Sequence, residues 1–298
     1  MSLKVSVIMN CYNSDKYLRE AIESIYSQTY TNWEIIFIDN QSTDNSPKIA
    51  KSYSDKLKYY LTGEYLKLGA GRNMALEKVS GDLIAFLDCD DRWLPNNLEI
   101  QVKTFMDNPK VGFSYSNYFY FDQNNQSQRL IFKNKAPSGD IFSLALNDYQ
   151  CGILTVIFRK SLLRHLSHYF DTSLNLAEDY DFFMRILYYC EAKYIHEPLS
   201  IYRFHNENLT NTFKESFPDE VIYSLNKFKR MNLDRKNIDL VDRRINMFIL
   251  RKSSIINLSR FRFREFLCDF INLKNRRPYI LCFKYVAKAI VAYIKNVI

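Results

Sequence analysis

The stretch Leu83-Ile84-Ala85-Phe86-Leu87-Asp88-Cys89-Asp90-Asp91 constrains this chain more than any other. An unbroken apolar run suits a strand buried on both faces, as in a parallel sheet, and here it leads straight into a cluster of carboxylates. A strand carries such a cluster at its carboxyl end without burying charge, and in open α/β sheets that end is where ligands bind. In extended backbone Asp88 and Asp90 point to the same side and repel one another, which a divalent cation relieves. Hard oxygen ligands suit Mg2+ or Mn2+, held by one or two carboxylates together with substrate phosphates. Read alone, the cluster serves equally as a solvated turn, with Asp91 the N-cap of the next helix and Pro95 in its first turn.

The surrounding pattern decides between these readings. Residues 4–9 read as a first strand, and Ser14-Asp15 cap a helix with Leu18, Ile22, Ile25 and Tyr26 at helical spacing. Residues 34–38 form a second strand ending in Asp39, and Ser42-Thr43-Asp44 with Pro47 open another helix. Residues 57–61 make a third strand, and Gly69-Ala70-Gly71-Arg72-Asn73 leads into a helix that Ser80-Gly81-Asp82 stops. This alternation predicts an α/β fold with a mostly parallel sheet, right-handed crossovers and flanking helices. Tyr12-Asn13, Asp39-Asn40, Arg72-Asn73 and Asp88/Asp90 each lie at or beside a strand's carboxyl end, so one crevice collects them. A tyrosine stacks on a base, a carboxylate accepts from a base or ribose, an arginine faces phosphate and a cation bridges a pyrophosphate; together these describe a nucleotide-diphosphate site. Gly69-Ala70-Gly71 follows the third strand and lacks the last glycine of the dinucleotide fingerprint, and no phosphate-cradling G-x-x-x-x-G-K-[ST] loop occurs.

A second acidic cluster, Ala177-Glu178-Asp179-Tyr180-Asp181, begins a helix whose Phe182, Phe183, Ile186 and Leu187 face inward. Acids in a first helical turn are favoured by the dipole, so capping is one reading. The other is a general base at the mouth of the site, one of these carboxylates accepting a proton from an acceptor hydroxyl. Residues 201–205 form a strand-like run ending in His205, placed to complete a metal shell or touch the diphosphate, and the polar run 206–211 suits a lid. Residues 153–158 read as a further strand, and Asp122-Gln123-Asn124-Asn125-Gln126 as a hairpin loop.

Charge divides the chain. Residues 1–212 carry 22 basic and 25 acidic side chains, whereas 213–298 carry 19 and 8. This predicts a near-neutral nucleotide-binding domain over 1–212 and a basic helical extension over 213–298, facing an anionic surface. A helix face is read through Phe263, Phe266, Leu267, Phe270 and Ile271. The final segment, 279–298, is apolar but interrupted by Lys284, Lys288 and Lys295, a pattern not for a membrane span but for a basic amphipathic surface helix or, equally, a helix packed on the catalytic body or a partner subunit. Six scattered cysteines with no C-x-x-C pair signal neither a zinc site nor a disulfide framework, and no secretory leader is read at the start, so a cytoplasmic setting is expected. Net charge alone is the argument for nucleic acid, and it sits in the tail; no nucleic-acid partner is expected.

Taken together, these stretches resemble the inverting, metal-dependent glycosyltransferases known as glycosyltransferase family two. The resemblance covers roughly residues 4–212 and rests on Val5-Ser6-Val7-Ile8 with Tyr12-Asn13, Ile38 to Asp44, Gly71-Arg72-Asn73 with Ala75, Asp88/Asp90-Asp91 and Glu178-Asp179. It implies a Rossmann-like, GT-A type fold and sugar transfer from a nucleotide-diphosphate sugar, a UDP-sugar above others, to a hydroxyl of a glycan or lipid-linked acceptor. Bacterial surface polysaccharide synthesis is expected with it, and the charge asymmetry and the last amphipathic stretch suggest a place at the inner membrane face. By resemblance Tyr12 and Asn13 lie near the base, Asp39 bonds it, and Arg72 and Asp88 hold ribose or pyrophosphate. Asp90, and with it His205, ligates Mn2+ or Mg2+, and Asp179 is the base. Met9-Asn10-Cys11 stands where the family often has Pro-Thr, and Asn40-Gln41 where it often has Asp-Gly. A non-catalytic sugar-nucleotide or glycan-binding protein on the same fold is the alternative.

Overall fold

The computed structural model describes residues 2–53, 55–213 and 215–259. The chain divides into two compact units, residues 1–212 and 213–298. In the first, β1 (Val5–Cys11), β2 (Trp33–Asp39), β3 (Leu57–Leu61) and β4 (Leu83–Phe86) are joined through α1 (Asp15–Tyr26), α2 (Ser46–Lys51) and α3 (Leu68–Leu76). These four strands are parallel, in the order β3-β2-β1-β4. The sheet continues through β5 (Arg92–Trp93), β6 (Val111–Asp122), β7 (Ser127–Leu130), β8 (Ile157–Arg159) and β9 (Glu191–Phe204), in the order β4-β8-β6-β9-β5, with β7 hairpinned onto β6. β8 lies antiparallel between β4 and β6, and β6 pairs with β9 in parallel. The remaining helices of this unit are α4 (Asn97–Asp107), α5 (Phe142–Asn147), α6 (Glu178–Leu187) and α7 (Leu209–Phe213).

Strand alternation assigns side chains to two layers. Val5, Val7, Met9 and Cys11 of β1 join Leu83 and Ala85 of β4 and the inward faces of α1 (Leu18, Ala21, Ile22, Ile25) and α4 (Leu98, Val102, Phe105) in one core. The opposite face holds Phe86, which meets Phe170 and Phe183 edge-on, while Phe182 stacks on Phe170 with centroids 4.2 Å apart. Both faces are covered, which is why these strands read as unbroken apolar runs. Gly81 is required where the chain enters β4, since a Cβ there would stand 2.6 Å from the Lys4 carbonyl oxygen and 2.7 Å from the Ser6 nitrogen.

Several local expectations change. Ser14 occupies the cap position of α1 without a side-chain cap bond; its hydroxyl donates to the Tyr12 carbonyl, and the Asp15 amide is taken by Asp44. α4 begins at Asn97, and Asp91 is not its cap. The run 153–158 is broken into a 3-10 turn at Ile153–Thr155 and the short β8. Pro198 sits inside β9 where the pairing with β6 slips register, a kind of place in a strand that tolerates a missing N–H.

In the second unit α8 (Phe217–Phe228) and α9 (Arg235–Ser259) pack together, with Lys252 bonding Asp219 at 2.7 Å and Lys229 paired with Asp242. No helix among the described residues is long and apolar enough to cross a membrane. The helix face at 263–271 and the amphipathic segment at 279–298 lie outside the described residues.

At the amino ends of the strands Glu34 is buried and accepts from Ser6 Oγ (2.7 Å), Lys58 Nζ (2.7 Å), Lys4 Nζ (2.9 Å), the Ser80 amide (2.9 Å) and Ser80 Oγ (2.7 Å). Burial alone pushes this carboxyl up; the bonds from Lys58, Ser6, Ser80 and Lys4 outweigh it and hold it well below the usual carboxylate range. A depressed folded value stabilises the fold above the unfolded glutamate pKa of about 4.3, and that contribution is lost as pH falls below it. Glu34→Gln is therefore expected to lower stability by about 2 kcal/mol at pH 7, read from urea midpoints. The gap between variant and parent should begin to narrow as pH falls through about 4.3 and should close only as the depressed folded value is approached.

Candidate functional site

The parallel ladders keep the carboxyl ends of β1, β2, β3 and β4 level. The Asn40 amide donates to the Cys11 carbonyl (2.8 Å), Thr62 to Asp39 (3.0 Å) and Leu87 to Ile8 (3.0 Å), so the loops that follow rise from one edge. Two of them turn through left-handed residues, Asn13 (φ +47°) and Gln41 (φ +64°). Each such conformation costs a non-glycine residue about 1 kcal/mol, and each is offset locally. Asn13 Oδ1 accepts the Thr43 amide at 2.8 Å, the Asn13 amide donates to Ser42 Oγ at 3.0 Å, and the Gln41 side chain donates to the Thr62 carbonyl.

Asn40 explains one departure from the expected motif. Its Nδ2 donates to the Leu66 carbonyl and its Oδ1 accepts the Leu66 amide, both at 2.7 Å. An aspartate has no donor for the first of these. The clasp fixes the loop carrying Tyr65, whose ring meets Tyr12 edge-on at 4.9 Å, and the two rings are 62% and 50% exposed. Asp39 is fully buried at the same edge. Its Oδ1 accepts the Ser42 amide at 2.9 Å and its Oδ2 accepts the Tyr59 hydroxyl, so both oxygens hold the loop together.

After β4 the chain does not stay extended. The Asp91 amide closes a turn onto the Asp88 carbonyl at 3.2 Å, and the three carboxylates diverge. Asp91 is buried and accepts the Arg203 amide at 2.8 Å; burial, then Asp90 and Asp88, push its carboxyl far up. Asp90 Oδ2 lies 3.1 Å from His205 Nε2 and accepts Asn208 Nδ2 at 3.1 Å. Asp88 Oδ1 accepts Arg72 Nη2 at 3.0 Å.

Arg72 comes from α3, which lies tight on β1: a Cβ at Gly71 would collide with the Asn10 side-chain amide. The guanidinium is 3% exposed and lies over the Phe170 ring, 5.6 Å from its centroid. Its second arm, Nη1, donates to Glu178 Oε1 at 2.6 Å. Arg72 thus joins two acids and is not open towards solvent. Glu178 stands in the first turn of α6, buried, with Oε2 lacking a hydrogen-bond partner. Asp179, beside it, is half-buried, and the Tyr180 amide donates to its Oδ1 at 2.6 Å. Burial raises the Asp179 carboxyl above its ordinary value, Arg72 and the Tyr180 amide oppose this, and Asp88 adds to it. Glu178 is raised in the same way, by burial against the pull of Arg72.

The structure therefore gathers Asp88, Arg72 and the Glu178-Asp179 pair in one cluster, and Asp90 with His205 in a second on the same turn. The polar run after His205 is fastened: Asn208 Oδ1 accepts the His205 amide at 2.6 Å while its Nδ2 reaches Asp90 and the Arg203 carbonyl. Sequence reasoning did not single out Tyr65, Asn208 or Tyr149. Tyr149, in a segment without periodic signal, packs edge-on against Tyr180 at 5.0 Å, and its buried hydroxyl has no hydrogen-bond partner.

The donor set around Asp90 fits a divalent cation. Asp90 offers a carboxylate oxygen and His205 an imidazole nitrogen 3.1 Å from it, ligand types that Mn2+ and Mg2+ sites use. His205 Nδ1 accepts the Glu207 amide at 3.2 Å, which puts the ring proton on Nε2, donating to Asp90; ligation through Nε2 requires that proton to leave. Among the described residues no group of three or more His, Cys, Asp or Glu forms a protein-only metal cage.

The profile of glycosyl transferase family 2 matches residues 6–166. The chain is 37% identical over 184 residues to WfgD of Escherichia coli, a UDP-Glc:alpha-D-GlcNAc-diphosphoundecaprenol beta-1,3-glucosyltransferase, spanning 61% of this chain and 69% of that protein. It is 34% identical over 231 residues to WfaP of the same species and the same described activity, spanning 76% and 82%. Its fold is similar to S. aureus TarS 1-349 in complex with UDP-GlcNAc (TM-score 0.69, 23% identity, 85% of this chain and 73% of that one). It is also similar to a Pyrobaculum calidifontis mannosyltransferase in complex with GDP-Man and Mn2+ (TM-score 0.64, 15% identity, 99% and 81%). The chain belongs to glycosyl transferase family 2 and is a glycosyltransferase with a fold of the GT-A type.

Proposed function

We propose that this enzyme transfers a sugar, with inversion, from a UDP-sugar to a hydroxyl of a lipid-linked glycan, in bacterial surface polysaccharide synthesis at the cytoplasmic face of the membrane. The observation that carries the reading is the Asp88–Arg72–Glu178 bridge, which brings the acidic turn and the acid at 179 to one crevice. The acceptor class is supported by the two Escherichia coli relatives, and the membrane setting by the 19 basic against 8 acidic side chains of residues 213–298.

In this reading the Tyr12–Tyr65 pair receives the nucleobase, and Asn13 and Asp39 shape that pocket through the loops they hold. Asp88 takes ribose or pyrophosphate oxygens, with Arg72 fixing its carboxylate. Asp90, with His205 beside it, would hold Mn2+ or Mg2+, which would supply neutralisation of the charge on the departing diphosphate. Asp179 accepts the proton of the acceptor hydroxyl, whose oxygen then attacks the anomeric carbon from the face opposite the nucleotide. One displacement, with no sugar held covalently by the enzyme, inverts that centre.

The direct test is release of UDP from UDP-glucose and UDP-GlcNAc in the presence of Mn2+ and a GlcNAc-diphospho-lipid acceptor. Asp179→Asn should lower kcat by about 1,000-fold, with UDP affinity by calorimetry within twofold of the parent; retention of turnover would remove Asp179 from the mechanism. Because the Asp179 carboxyl is raised and must be ionised to act, kcat should fall as pH drops, with a midpoint above the ordinary aspartate value of about 3.9. Asp90→Ala should abolish the Mn2+-dependent part of UDP binding while leaving the melting temperature within a few degrees. Tyr65→Ala and Asn40→Asp should each weaken UDP binding about tenfold, the second because the clasp on Leu66 loses its donor.

A further inference from the structure

We infer that Glu178 is a positioning residue for this transfer: through Arg72 it holds the first turn of α6, and with it Asp179, at a fixed separation from Asp88. The inference deepens the reading above and rests on it. Glu178 and Asp88 bond different arms of one guanidinium, 2.6 Å from Nη1 and 3.0 Å from Nη2. The guanidinium is rigid and planar, so one arm cannot turn without moving the other, and the positions of the two acids are coupled through it.

Burial argues against a passive ion pair. The side chains of Arg72 and Glu178 are 3% and 4% exposed, whereas Asp88 is 35% exposed, so the cation is anchored on its buried side and presents Asp88 outwards. Glu178 Oε2 has no hydrogen-bond partner, a cost that an apolar residue of similar volume avoids. A buried half-satisfied carboxylate next to the base, tied to an arginine from a distant helix, is a poor device for stability and a good one for alignment. The groups facing Asp179 come from every neighbouring element: Arg72 of α3, Asp88 after β4, Tyr149 and Cys151 after α5, and Glu178 on its own helix.

Misplacing a base by about 1 Å costs on the order of 100-fold in rate. Glu178→Ala is expected to lower kcat about 100-fold and the isosteric Glu178→Gln about tenfold, with donor KM within threefold in both, because Asp88 keeps Arg72. In an Arg72→Met background, Glu178→Ala should cost less than a further threefold. Equal losses in the two backgrounds, or a loss carried by donor KM, overturn the inference. A readout without turnover separates this from the proposed activity. In Glu178→Gln, amide exchange should quicken at residues 88–91 as well as 178–182, since the disturbance passes through Arg72. Exchange altered at 178–182 alone, or nowhere, sinks the positioning role even if the parent transfers no sugar tested; an inactive parent with coupled exchange sinks the proposed activity instead.

Discussion

The structure turns on one buried guanidinium. Arg72 is withdrawn from water on every side, and a charge so placed is tolerated only with good geometry and neutralising partners. Two carboxylates supply them, one from the turn after β4 and one from the first turn of α6. The aromatic layer of Phe86, Phe170, Phe182 and Phe183 excludes water around it and raises the strength of both contacts. Fold and site are therefore the same problem in this region: the packing that buries α3 and α6 against the sheet is what brings acids of distant sequence position to a common edge.

The acidic turn shows how one short motif is divided among tasks. Asp91 goes inward and ties to β9 through the Arg203 amide, Asp88 goes to Arg72, and Asp90 goes to His205 and Asn208. Cys89, between them, is buried and donates to the Asn10 carbonyl at 3.1 Å, which secures the turn to β1. Mutual repulsion of the carboxylates is relieved by giving each its own partner, while Asp88 and Asp90 stay partly exposed at the crevice.

What the sequence disclosed follows from locality. β1, β2 and β4 were legible because both faces are buried, which leaves a continuous apolar signature; Tyr12, Asn13, Asp39, Asp88 and Asp90 stood out as candidates because they lie at or just after the carboxyl ends of those strands. The bridge between Arg72 and Glu178 spans 106 positions and leaves no local trace. The antiparallel insertion of β8 was equally hidden, since a three-residue strand beside a 3-10 turn carries too short a pattern to fix direction. β9 was seen only from Ile201 onwards because Pro198 and the polar residues before it hide a strand that accommodates the proline at a slip in register. The substitution of Asn40 and Gln41 at the β2 loop read as a departure; the structure gives it a cause in the two-way bond to Leu66 and the anchoring of a left-handed residue on Thr62.

Glu34 lies at the far end of the same strands, knotting β1, β2, β3 and the entry to β4 without touching any residue of the crevice. Cohesion of the sheet is thereby vested in its amino-terminal rim. The loops at the other rim are relieved of that duty, so their residues can be rewritten while the scaffold beneath them stays the same.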